Sequence, residues 1–155
     1  MIMSDRNSNG LPSFQSLAVI WIAIFWSQAL FLVLIYVIRP ELFNFDLSRP
    51  AAVEDPLLPA LFGVLSVVLF VTSLAMKRRF VNRAVDLQNP ALLQTALVVG
   101  CAMCEAVSLF GVVLAVGHNS PYFFIWIAAG MAGMLFHFPS RTNLKNATFD
   151  NKKSL

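Results

Sequence analysis

A single carboxylate, Glu105, stands inside the apolar stretch Cys101 to Ser108, CAMCEAVS. Thirteen residues separate it from Leu92 and eleven from Val116, which places it about 20 Å along a helix axis from the Leu92 end. If that helix crosses a bilayer, the carboxylate lies near the midplane, where an uncompensated charge costs at least about 2.5–3.5 kcal/mol. Glu105 should therefore carry a proton or meet a cation or a bound ion. At 100° per residue, Gln94, Cys101, Glu105 and Ser108 share one stripe of the helix, with Val98 and Val112 completing it. A second polar pair, Ser27-Gln28, falls midway along the first apolar run at nearly the same depth. Gln28 offers an amide donor and a carbonyl acceptor, the complement of a carboxylic acid in a medium without water. The candidate ion-binding residues are Glu105, Gln28 and Ser108, with Ser27 and Gln94 supporting.

Nothing else in the chain proposes chemistry as directly. Cys101 and Cys104 lie within the same apolar segment without further ligands, so they read as packing residues and not as a metal site or a disulfide framework. His118 falls in a turn and His137 near a span end, too far apart to hold one haem between them; both read as interfacial and solvated. No nucleophile-and-base arrangement, phosphate-binding glycine loop or metal-ligand spacing occurs. An enzyme is not expected, except as a subunit of an ion-translocating complex, and neither is a cofactor.

The elements that must position these residues follow from composition. The 155 residues are 58% hydrophobic and only 12% charged, with a mean hydropathy of +0.73, the balance of a membrane protein and not of a soluble domain. Four apolar runs, at about 17–38, 57–76, 92–116 and 121–138, predict an all-α integral membrane four-helix bundle over residues 15–140. Residues 1–14 are polar, with Gly10 and Pro12, and are expected to form a mobile tail; 141–155 are expected to form a basic polar tail. The connector 39–56 carries Pro40, Pro50 and Pro56 and four acids, so an irregular loop is expected there. Pro59 falls in the first turn of the second span, where its missing N–H does least harm.

The net charge of +3 and a pI near 9.2 do not point to nucleic acid, because the cations flank apolar runs. Lys77, Arg78, Arg79 and Arg83 lie between spans two and three, and Arg141, Lys145, Lys152 and Lys153 follow span four. The distribution predicts both termini and the middle loop on the cytoplasmic side. The expected location is a bacterial inner (plasma) membrane. Small residues in span four, AAGMAGM at 128–134, and Gly100, Ala102, Ala106 and Gly111 in span three predict a close hairpin between those helices, or a contact with another copy of the chain.

Residues 93–114, LQTALVVGCAMCEAVSLFGVVL, align without a gap to a known pattern. The stretch resembles the carboxylate-bearing outer helix of the c subunit (proteolipid) of F-type and V-type rotary ATP synthases. The likeness lies in LQT, Gly100, Ala102, the Glu105-Ala106 pair and GVV at 111–113. The resemblance implies that Glu105 carries a transported H+ or Na+, with Gln28 and Ser108 similar in kind to ion-coordinating side chains of sodium-type members. It also implies a homo-oligomer or a partner subunit within the lipid bilayer. The alternative is a non-catalytic scaffold or assembly subunit of a larger membrane complex, in which Glu105 serves helix packing.

Overall fold

The computed structural model describes residues 12–44 and 56–148, and among these every regular element is helical. Five α-helices follow in order: α1 (Phe14–Ile38), α2 (Leu57–Asp86), α3 (Ala91–His118), α4 (Phe123–Leu135) and α5 (Arg141–Thr148), with a short 3-10 turn at Pro40–Phe43. The first three are long and apolar enough to cross a membrane. Residues 1–11 and 149–155 of the expected tails, and 45–55 of the expected connector, lie outside the described residues.

Ser13 starts α1, its Oγ accepting from the backbone N–H of Ser16 at 3.1 Å. The helix then runs without a breaker until Arg39-Pro40. α2 continues past its apolar stretch through KRRFVNRAVD, because nothing stops a helix there before Gln88-Asn89-Pro90. Its end is a Schellman motif: Gln88 is left-handed (φ 49°), its N–H bonds the Val85 carbonyl, and the Asn89 N–H reaches back to Ala84 at 2.9 Å. Asn119, left-handed at φ 53°, ends α3 in a similar way.

The fourth expected span, 121–138, holds a helix of only 13 residues, about 20 Å long. Pro121 and Pro139 set its limits: neither prolongs a helix, and the second biases Phe138 away from helical backbone. The expected polar tail contains α5, which lays Leu144 and Ala147 against Ala84, Leu93 and Leu97.

α3 is the central helix, packed against α1, α2 and α4. Its most apolar stretch is 44% buried, against 11% for α1 and 6% for α2. The hairpin with α4 is close, as its small residues predict: a Cβ on Gly130 would come within 2.7 Å of the Cys104 carbonyl, and one on Gly133 within 2.8 Å of Cys104 Sγ. One cluster, around Ile35, Leu42, Ala115, Phe123 and Ile127, closes one end of the bundle. At the other end Leu17, Leu97 and Cys101 form a second cluster, with Ala84, Leu93 and Ala147 in a third beside it. The start of α1, the α2–α3 turn and α5 thus share one end of the molecule.

Candidate functional site

Glu105 lies midway along α3, and Ser27 midway along α1, so the parallel packing of α1 on α3 brings the two to one level. Glu105 Oε1 and Ser27 Oγ form a hydrogen bond. Ser27 Oγ is also 2.6 Å from the carbonyl of Ile24, one turn earlier on its own helix. A serine has a single hydroxyl proton, and a backbone carbonyl can only accept. When Ser27 donates to Ile24, its bond to Glu105 needs a proton from the carboxyl. When Ser27 donates to Glu105, the Ile24 contact becomes two acceptors facing each other. Both contacts are satisfied together when Glu105 is a carboxylic acid donating its O–H to Ser27, or when the hydroxyl shares its single proton between the two acceptors.

The expected pairing of Glu105 with Gln28 is not made. Gln28 is fully buried, and neither its Nε2 nor its Oε1 has a hydrogen-bond partner among the described residues. Helical phase explains the exchange: neighbouring residues point 100° apart, so only one of Ser27 and Gln28 can face a given residue of α3. Ser108 also turns away from Glu105. Its Oγ is buried and without a hydrogen-bond partner among the described residues, pressed into the notch that Gly130 opens in α4, where a Cβ would overlap it. Gln94 is exposed near the start of α3, about 16 Å along the axis from Glu105. The stripe shared by these residues on a helical wheel is therefore divided in the fold: Cys101 and Ser108 are buried, Glu105 stands half-buried at the edge, and Gln94 is outside.

A second polar cluster surrounds the end of α4. His137, expected to be solvated, is only 2% exposed. Its ring fills the notch left by Gly100, where a Cβ would overlap the imidazole. Nδ1–H donates to the Gly133 carbonyl at 2.9 Å, and Nε2 faces the Ser73 carbonyl at 3.5 Å. Two more side chains reach carbonyls of the same helix end: Trp21 Nε1–H donates to Met134 at 2.9 Å, and Lys77 Nζ donates to Phe136. Carbonyls at a helix C-terminus lack partners within the helix, and in an apolar surrounding water does not replace them. Here α1, α2 and the chain just beyond α4 each supply a donor. Sequence reasoning had one signal for this cluster, the four-residue spacing of Gly133 and His137, but no means to place Trp21 and Lys77 against it.

Compared with family models, curated proteins and solved structures, the chain matches none.

Proposed function

We propose that this chain is a four-span integral membrane subunit that binds a proton at Glu105 within the bilayer. The reading rests on the proton count at Ser27: the two contacts of its hydroxyl are satisfied together when the carboxyl is protonated. Loss of the proton leaves a carboxylate that competes with Ile24 for one serine proton. Gln28, next to Ser27, and Ser108, one turn from Glu105, keep unpaired polar atoms in the same part of the helices. They are the groups with spare capacity to support the site when the proton leaves. The proton is favoured over Na+, because the Glu105 carboxyl has one oxygen partner among the described residues, where a sodium ion asks for several.

In this reading α4, with its flanking turns, completes the fourth crossing. The end of the molecule that carries Lys77, Arg78, Arg79, Arg83, Arg141 and Lys145 faces the cytoplasm. The location is a plasma membrane, and the chain works as a homo-oligomer or beside a partner subunit, as the likeness of 93–114 to a proteolipid helix implies.

The scaffold reading draws on the same bond, which ties α1 to α3 whether or not a proton ever moves. Glu105→Gln separates the two, because glutamine retains a donor and an acceptor for Ser27 but cannot exchange a proton. Under proton binding, a hydrophobic carbodiimide modifies Glu105 at a rate that falls as pH rises. The carboxylic-acid C=O band in the infrared spectrum disappears in E105Q, and proton flux through the assembled complex is lost while assembly persists. A Glu105 that resists the reagent at every pH, with E105Q indistinguishable from wild type in flux, leaves only the scaffold role.

A further inference from the structure

Beyond its mid-helix site, the molecule carries a cationic groove at the Lys77 end. The groove has a volume of about 250 Å³ and lies between the basic half of α2, the end of α4 and the start of α5. Lys77 and Arg78 enter it from α2, with Asn82 one turn beyond Arg78 on the same stripe, and Asn143 faces them from α5. Leu74, one turn before Arg78 on the apolar half of α2, and the exposed ring of Phe136 supply an apolar lower wall. The groove is therefore graded, with hydrocarbon below and cations and amides above.

Among the described residues its charge has no ion-pair partner. The one ion pair among the described residues, Arg39 with Glu41, lies at the opposite end of α1. Lys77 is half-buried and bonds the Phe136 carbonyl, which among the described residues leaves two of its three N–H donors. Arg78 makes no hydrogen bond or ion pair within the described residues, and its planar fork suits a phosphate. A topology signal needs only cations near a span end. It does not need a half-buried ammonium held at a fixed place, two amides beside it and an apolar wall beneath.

We propose that this groove binds the phosphodiester headgroup of an anionic phospholipid, Lys77 and Arg78 holding the phosphate, Asn82 and Asn143 the headgroup oxygens, and Leu74 and Phe136 the start of the acyl chains. The site rests on the bilayer placement of α1–α3 and is independent of the proton chemistry at Glu105.

The test uses the full chain reconstituted into phosphatidylcholine vesicles, with trace spin-labelled phosphatidylglycerol or phosphatidylcholine. The fraction of each label immobilised by the protein gives the relative association. The wild type should prefer phosphatidylglycerol about tenfold. R78Q, which breaks no bond within the fold, should lower the preference roughly fivefold, and K77Q/R78Q should abolish it. The charge-preserving K77R/R78K should retain it, and E105Q should leave it unchanged. Equal association of the two labels with the wild type overturns the proposal, as does a preference that survives R78Q and K77Q/R78Q. Loss of the preference on adding inorganic phosphate, but not chloride at the same ionic strength, overturns the lipid in favour of a soluble phosphate. A chain that fails to float with the vesicles at all overturns the bilayer placement itself.

Discussion

Two polar clusters lie within the helices, one on Glu105 at mid-helix and one on His137 at the end of α4, and they follow opposite rules. Around His137 three carbonyls of one helix end have donors: Nδ1–H meets that of Gly133, Trp21 and Lys77 take those of Met134 and Phe136, and the ring, its Nε2 3.5 Å from the Ser73 carbonyl, sits in a space that only glycine leaves open. Around Glu105 the matching is incomplete. One serine proton is shared between two acceptors, a fully buried glutamine next to that serine has no hydrogen-bond partner among the described residues, and the acid itself stands at the edge of the buried face. A matched cluster fixes structure, and a mismatched one retains the capacity to change state. The difference separates what holds this bundle from what it can do, and it also says where substitutions should hurt.

The largest effect is expected for Gly100→Ala. Its methyl group must displace the imidazole from a packed helix contact, and overpacking of this kind costs about 3 kcal/mol, read as a shift in the unfolding midpoint in detergent. Removing the ring should relieve that clash, so G100A/H137A should be less destabilised than the sum of its single variants. Strict additivity would break the claim that the glycine exists for the histidine. His137→Leu alone should cost about 2 kcal/mol, since it strips the donor from the Gly133 carbonyl in a place water does not reach. Ser27→Ala is expected to cost only about 1 kcal/mol, the usual size of an interhelical side-chain bond in a membrane. It should nonetheless change the carbodiimide profile of Glu105. The smallest shift, about 0.5 kcal/mol or less, is expected for Glu105→Gln, because the amide keeps the bond to Ser27. If E105Q destabilised the fold as much as H137L, the contrast between the clusters would be lost, and with it the main reason to separate function from packing.

Parts of this arrangement are legible in the sequence. α1 and α3 lie within a few residues of the expected 17–38 and 92–116, because an apolar run of membrane length between polar flanks leaves little choice. The close α3–α4 hairpin follows from the small residues in both. α2 is longer than its expected 57–76 for a physical reason: hydropathy marks where a chain leaves an apolar medium, and backbone breakers mark where a helix ends. In α2 the two boundaries are ten residues apart. α5 was hidden by its polarity, although Leu144 and Ala147, three apart, are the side it buries. At the candidate site, depth along the helices put Glu105 opposite the Ser27-Gln28 pair. The choice between those neighbours depends on the rotation of α1 about its own axis, which a depth argument does not contain. His137 was misplaced because a histidine near a span end usually reaches water, and here a glycine on another helix, 37 positions earlier, makes room for it inside.

The end of α4 bears finally on how the protein is made. A 13-residue apolar helix is a weak candidate to enter a bilayer by itself, since it is shorter than the hydrocarbon core and leaves polar carbonyls inside it. The groups that cover those carbonyls come from Trp21 and Lys77, far earlier in the chain, and from His137, which needs Gly100 of α3 already in place. In the four-span reading α4 therefore enters as the second arm of a hairpin onto a surface the first three helices have assembled, and the order of synthesis becomes part of its stability.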